Sequence, residues 1–510
     1  MVGSGPAGLY TAEALIKQSV LLPGPVEVRV DVLDRLPTPY GLVRYGVAPD
    51  HKSIKSVANY LRRVLESPGV RFVGGVHLGT DVTREDLLSA YDAVVYATGA
   101  MRDRHLGIPG EDLPGSYAAT DFVNWYCGHP DIAPDAFTLD AESVAVIGVG
   151  NVAVDVARIL ARDPAELEET DISEPVMAAL RASKVREVHV IGRRGPAQAK
   201  FTTKELRELG ELSGVATSAD AAELDLEGPF DLSGESVALA SSDRRVRGNL
   251  VAMTGWTGEL ADAVLTGPGR KLRLRFWLRP VEIQESPSGT TGALRLERTH
   301  LTAEGKFEGT GEYETLDAQM VLRSVGYQSV PLPGVPFDAA THTVPNAAGR
   351  VLSASGEPLP GEYVAGWLKR GPTGVIGTNK ADAAETVQAL LADLAGGPAL
   401  GEGKLPRPGL LRRPDPAADD TASADAGGEE TGPANEGTGP GNAAGRENSD
   451  ADEACPLDGV LAERGVEPVS YADWLRIEEA EAELARALAR GDRVKLPSSD
   501  AIWSAAGRRP

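Results

Sequence analysis

Apolar and polar positions change period several times along this chain of 510 residues, and each change marks an element. Ala7–Lys17 is rich in helix formers with apolar residues at helical spacing, so it predicts a helix. VEVRVDVLDR (Val26–Arg35) alternates apolar and polar, the period of a strand, and ends in an acid, Asp34. YDAVVYATGA (Tyr91–Ala100) predicts a buried strand running into a Thr-Gly turn. Val144–Ile147 is a wholly apolar strand, Asn151–Leu160 a helix, and REVHVIG (Arg186–Gly192) a further strand. From Leu206 to about Gln319 the stretches VALAS, LRLRFWLRPVEI and GALRLERTHL alternate between Gly/Ser turns and predict extra strands. Met320–Gln328 and Gly361–Leu394 follow, the latter reading as a strand, a glycine-rich turn and a long amphipathic helix. SYADWLRIEEAEAELARALA predicts a last amphipathic helix with a short tail. Strands alternating with helices predict an α/β chain built on parallel sheet.

Two junctions carry glycine turns. Gly3, Gly5 and Gly8 precede the first helix, and Gly148-x-Gly150-x-x-Ala153 joins the Val144–Ile147 strand to the helix that contains Asn151 and Val152. Such a turn lets the backbone approach a pyrophosphate seated on a helix N-terminus. The second turn has every part of a Rossmann unit. The first has its helix but only Met1 and Val2 ahead of Gly3, so alone it does not separate a dinucleotide site from a glycine-rich start. Asp34 lies 26 residues past Gly8, near the spacing at which a carboxylate accepts the ribose hydroxyls of an adenine nucleotide. An exposed acid at a strand end is the plainer alternative. After the Arg186–Gly192 strand, the matching place holds Arg193 and Arg194. Two guanidiniums can clasp a 2′-phosphate, which implies NADP; two solvated arginines are the alternative. In the returning segment, Gly371, Gly374 and Gly377 again allow close approach to a ligand.

Composition narrows this further. Apolar residues make up 42% and charged residues 25%, ordinary for a soluble globular protein. No apolar run is long enough to span a bilayer and no signal-peptide pattern is present, so no membrane partner and a cytoplasmic location are expected. Two cysteines, Cys127 and Cys455, suit a reducing compartment, cannot hold a four-cysteine cluster, and are not a redox pair. The seven histidines lack ligand spacing, so no metal is expected. A net charge of −23 argues against nucleic acid. Much of that charge sits in Pro414–Ala454, where eleven acidic residues face one arginine in Ala/Gly/Pro-rich sequence, which predicts a disordered linker.

Taken together, several stretches resemble the adrenodoxin-reductase-like ferredoxin–NADP+ reductases: GSGPAGLY, LPTPYGLVRYGVAPDHKSIK (Leu36–Lys55), IPGEDLPGS, GVGNVAVDVARIL, GRRGPAQAKFTTKELREL (Gly192–Leu209), LRSVGY and GWLKRGPTGVIGTNK (Gly366–Lys380). The likeness runs in order over residues 1 to about 395, and more loosely over the last helix. It implies two Rossmann-like dinucleotide-binding domains, one for FAD and one for NADP, with the NADP domain inserted into the FAD domain. The expected divisions are 1–104 and 321–395 for FAD, 105–320 for NADP, 396–455 for the acidic linker and 456–510 for a helical tail. By the family pattern, Ala7, Asp34, Leu42 and Leu78 line the nucleotide half of FAD, Arg104 sits near it, and Trp367 with Gly374, Val375 and Ile376 approaches the flavin ring. Asn151, Val152, Ala153, Arg193, Arg194 and Glu205 hold NADP(H). His51 and Glu208 match positions beside the flavin linked to tuning or proton handling; read by itself, His51 is as well a structural histidine.

The implied reaction is hydride transfer from NADPH to FAD, then single electrons to an iron–sulfur ferredoxin, since this chain has no cluster of its own. A slow redox-sensing flavoprotein and an electron-input subunit of a larger oxidoreductase are the alternatives. An acidic ferredoxin would dock on Arg62-Arg63, Lys200/Lys204 or Arg244–Arg247, and the acidic linker would compete for the same patch. In this family the first strand lies mid-sheet. Its absence therefore predicts unpaired ladder groups beside the cofactor and apolar residues upstream of Met1. The oligomeric state is not legible.

Overall fold

The computed structural model describes residues 1–20, 27–257, 269–395 and 455–509. The acidic linker lies outside the described residues, and so does the start of the predicted Val26–Arg35 strand.

The first layer is a sheet of short strands. Val30–Asp34 pairs in parallel with Val70–Gly74, and Val94–Tyr96 in parallel with Pro358–Val364, which continues antiparallel through Arg350–Leu352 to Asn346–Ala347. Met1–Gly3 occupies the slot between these halves. Val2 bridges both Leu33 and Tyr96 in parallel, donating to Val95 O at 2.8 Å and accepting from Ala97 N at 2.8 Å. Leu33 N reaches Met1 O, Gly3 N reaches Leu33 O, and the Met1 amino group reaches Asp31 O at 2.6 Å. The ladder groups expected to be unpaired are therefore paired over these rungs. Pro6–Ser19 packs on this sheet with Leu9, Tyr10, Ala12 and Leu15 buried.

The second layer is a six-stranded parallel sheet in the order Ser116–Ala118, Met320–Arg323, Ser143–Ile147, Glu187–Ile191, Arg270–Arg275, Val215–Ala219. Val144, Ala145, Val146 and Ile147 are all buried, as a parallel strand covered on both faces requires. A three-stranded antiparallel sheet, Leu278–Glu285, Thr291–Leu301 and Phe307–Asp317, is added to it. LRLRFWLRPVEI runs from Arg270–Arg275 of the parallel sheet into Leu278–Glu285, and GALRLERTHL lies in Thr291–Leu301, but VALAS is not a strand. It falls in the helix Glu235–Ser242, where Ala, Leu and Ser repeat without a buried alternating face, and the Asp231 carboxylate accepts backbone N–H groups just ahead of and in its first turn.

The chain crosses between layers at Arg102–Asp103 and Tyr327–Gln328, which pair antiparallel as a two-stranded ribbon. The return comes later than the expected 320/321 division, because Met320–Arg323 is a strand of the second sheet. The last described segment is not a loose tail. Pro456–Glu463, Tyr471–Leu488 and Ser499–Ala505 are helices, and Trp474, Ile477 and Ile502 enter the core of the first layer. Burying Ile477 alone is worth about 1.5–3 kcal/mol.

Candidate functional site

At the first turn, a Cβ on Gly8 would lie 1.9 Å from Gly3 O, so only glycine lets the helix start this close to the strand. That helix has Gly5 as N-cap and no side-chain cap, which leaves its leading N–H groups free to meet an anion. Ala7 touches the returning segment, since a Cβ on Gly366 would come within 2.4 Å of the Ala7 Cβ. Asp34 turns toward the glycines: its carboxylate accepts Ser4 N at 2.9 Å, the Ser4 hydroxyl, and Leu36 N at 3.0 Å. The loop after it folds over the turn. Tyr40 N donates to Ser4 O at 3.1 Å, and half-buried Leu42 opens the short helix Leu42–Tyr45. Leu78 is buried beside Val2 and Leu33. Trp367 sits 5.4 Å ring to ring from Tyr327, and its Nε1 donates to Thr373 O. Gly374 and Val375 are exposed next to it and Ile376 is half-buried, with Val375 at 64% exposure. Arg104 is exposed, and its backbone N–H donates to Gly326 O at 2.9 Å.

The second turn repeats the plan. Gly148 has φ +136°, and a Cβ there would meet Ser324 O at 2.1 Å. Around Gly150 a Cβ would find nothing within 4 Å, an open cradle at the head of Asn151–Ala161, which again lacks a side-chain cap. Ala153 is buried and Val152 half-buried in that helix. The Asn151 carboxamide oxygen accepts Thr202 N at 2.8 Å. Arg193 and Arg194 are both exposed, and among the described residues neither has a carboxylate in ion-pair range; Arg194 stacks 5.8 Å over the Phe307 ring. Their backbone is pinned by Thr299 Oγ1 and Trp277 N. Glu205 is nine-tenths buried with Oε2 unpartnered, and Thr202 Oγ1 and Gln198 Oε1 are likewise buried without partners.

Between the layers runs a seam of charged groups. Arg158, fully buried, grips Asp50 through two bonds of 2.6 and 2.9 Å and lies 2.8 Å from Asp155. His51 Nε2 is 2.9 Å from Asp155 Oδ1 and 2.7 Å from Arg158 Nη2. Glu208 Oε2 comes within 3.7 Å of His51 Nδ1 and 3.6 Å of Arg158. The structure thus brings His51 and Glu208 together, from opposite layers. Burial is the largest single influence on His51 and opposes its charge, as does Arg158, but the bond to Asp155 together with the Asp155 and Asp50 charges outweighs them, so its pKa lies above the ordinary histidine value. His129, 4.9 Å from the Tyr45 ring, is instead pushed down to about 4 by burial. Asp50, Asp155 and Arg158 were missed in the sequence. Their signal was there: a charged pair at i, i+3 inside the otherwise apolar VAVDVARIL helix has no reason to be buried unless it is paired.

The basic candidates separate. Arg62 is tied to Glu66 and Glu478, Arg245 to Asp243 and Ala199 O, and Arg247 to Ala240 O and Ser241 O. Lys200, Lys204, Arg63 and Arg244 are exposed, without a carboxylate partner among the described residues.

Residues 1–212 match the pyridine nucleotide-disulphide oxidoreductase family. NADPH-ferredoxin reductase FprA of Mycobacterium tuberculosis is 45% identical over 398 residues, which cover 77% of this chain and 83% of that protein. The mitochondrial NADPH:adrenodoxin oxidoreductase of Homo sapiens is 38% identical over 495 residues, 94% of this chain and 86% of that one. The chain belongs to the adrenodoxin-reductase-like ferredoxin–NADP+ reductase family. The structure of Mycobacterium tuberculosis FprA in complex with NADPH matches with a TM-score of 0.80 at 37% identity, over 99% of this chain and 98% of that chain. The family fold, two Rossmann-like layers with the second inserted into the first, is the one described above. The family uses FAD and NADP(H). The uncapped helix starts, the open cradle at Gly150 and the orphaned Glu205 oxygen fit ligands of that kind.

Proposed function

We propose that this chain is an NADPH:ferredoxin oxidoreductase, a flavoenzyme of the ferredoxin–NADP+ reductase class. FAD held on the first layer would supply the chemistry, accepting a hydride from NADPH and releasing electrons singly to an iron–sulfur ferredoxin. Residues 1–104 and the segment from the Tyr327–Gln328 crossing to 395 form the FAD part, with Gly3, Gly5, Ala7 and Gly8 cradling the pyrophosphate and Asp34 receiving the ribose. Leu42 and Leu78 pack against the nucleotide half, Arg104 stands near it, and Trp367 with Gly374–Ile376 flanks the ring.

Residues 105 to Arg323 form the NADP part. Gly148, Gly150 and Asn151–Ala153 receive the pyrophosphate, and Glu205 offers its free oxygen as an acceptor. The observation that carries the reading is Arg193-Arg194: two guanidiniums with no carboxylate in ion-pair range among the described residues, at the strand end beside an uncapped helix, where the first layer has an acid. A 2′-phosphate supplies the missing counter-charge. His51 and Glu208, joined through Arg158 and Asp155, hold or pass a proton at the seam. The exposed Lys200, Lys204 and Arg244 suit an acidic ferredoxin. Cys127 and Cys455 are free thiols, in keeping with a cytoplasmic setting.

The test is reduction of cytochrome c by NADPH with and without added ferredoxin. Rapid, ferredoxin-dependent turnover is expected; flavin binding without turnover would instead favour a redox sensor.

A further inference from the structure

Ahead of its last segment, and among the described residues, the chain passes between the layers through the Arg102–Asp103/Tyr327–Gln328 ribbon. A two-stranded ribbon is a poor brake on rotation. Hydride transfer needs the two bound rings held near contact, and about 1 Å of misplacement costs on the order of 100-fold in rate. Contacts beyond the ribbon must fix the layers: the seam of Asp50 and His51 with Asp155 and Arg158 is one, and the last segment of the chain is a second.

Residues 455–509 are anchored first in the FAD layer. Val469 pairs antiparallel with Gly74 through bonds of 2.8 and 2.9 Å, and Trp474 and Ile477 are wholly buried there. Glu481, fully buried, takes both guanidinium arms of Arg44, in the helix that covers the first glycine turn. The chain then turns at Ala489 (φ +51°) and enters the other layer. Arg490 donates to Glu168 O at 3.1 Å and to Glu174 at 3.0 Å, and Lys495 N donates to Asp171 O at 3.1 Å.

Lys495 ends this path. It is 1% exposed, and its ammonium donates to Arg44 O of the FAD layer at 2.8 Å and to Cys127 O of the NADP layer at 2.6 Å. Asp171 Oδ2 lies 3.5 Å away and is itself bound by Lys55 of the FAD layer at 2.7 Å. An ammonium has three donors and no acceptor, so one group can hold a carbonyl from each layer and keep a carboxylate as counter-charge. A buried ammonium without such partners would be expensive, so these contacts persist together or fail together.

Resting on the reading of the chain as a two-nucleotide reductase, we propose that Lys495 is a positioning residue for flavin reduction: it pins the two nucleotide layers to one another and so keeps the two glycine turns at a single separation.

The full-length, flavin-loaded protein tests this with Lys495→Met, which keeps the stem and removes the donors. In stopped-flow, the limiting rate of flavin reduction at saturating NADPH should fall about 10- to 100-fold, while NADPH affinity and flavin content stay unchanged. Amide hydrogen exchange at residues 102–103, 126–129 and 327–328 should quicken, and exchange in the Arg270–Arg275 strand should not. Lys495→Gln, which keeps two donors on a shorter arm, should fold and fall between. A folded Lys495→Met protein with a normal limiting rate and normal exchange would overturn the pin. So would a loss confined to NADPH affinity, or a loss in Lys495→Gln equal to that in Lys495→Met. A wild-type flavin that NADPH does not reduce would overturn the assigned reaction, and the exchange measurement would still decide on the pin.

Discussion

At the first glycine turn the next strand ends in Asp34, whose carboxylate already takes N–H and O–H donors from Ser4; at the second, the next strand ends in Arg193 and Arg194, with no carboxylate partner among the described residues. The two turns otherwise follow one plan, a strand, a glycine N-cap and a helix without a side-chain cap. The sign of the charge at one place thus separates a site suited to ribose hydroxyls from one suited to a phosphate. The supporting strands differ as well. The second turn rises from a complete buried strand, whereas the first rises from Met1–Gly3 and depends on hydrogen bonds to both neighbours.

The largest effects should come from filling one turn at a time. Gly8→Val places a side chain against Gly3 O, and the purified protein should carry no flavin absorbance. Gly148→Val places one against Ser324 O; that protein should keep its flavin and lose its reduction by NADPH. If both variants lost flavin alike, the separate roles of the turns would be wrong. Next in size is the charge itself. Replacing Arg193 and Arg194 by Ala removes charge-assisted bonds worth about 1.5–3 kcal/mol each, so kcat/KM for NADPH should fall about 100- to 10,000-fold while NADH use stays level. An equal loss for both cofactors would contradict the phosphate clasp.

The smallest effect concerns the seam. His51 has a folded pKa above its ordinary value, so its stabilising contribution is fully present below about pH 6.5 and is lost as pH rises through the folded value. The gap in Tm between wild type and His51→Gln should be wide near pH 5.5 and closed near pH 9. A gap that widened with pH would show that His51 is not stabilised in its charged form.

Much of this was legible locally. Val144–Ile147 is apolar throughout because it is covered on both faces, and the turn and helix behind it follow in unbroken order. The arginine pair was visible because a strand end has a fixed place in this fold. VALAS misled because small residues in alternation carry little strand signal once Ala and Ser fill the other positions. The last segment read as a tail because its partners are remote: Arg44 and Glu481 stand 437 residues apart, and nothing near either one announces the other. The same holds for Arg158 with Asp50 and His51, whose pairing depends on how the layers meet.

The most direct measurement is the absorbance of the purified protein, titrated without oxygen, first with NADPH and then, on a fresh sample, with NADH. The charge difference between the turns predicts a flavin spectrum in the protein as isolated, bleached promptly by NADPH and far more slowly by NADH. A protein without flavin, or one that the two nucleotides bleach at the same rate, would contradict it.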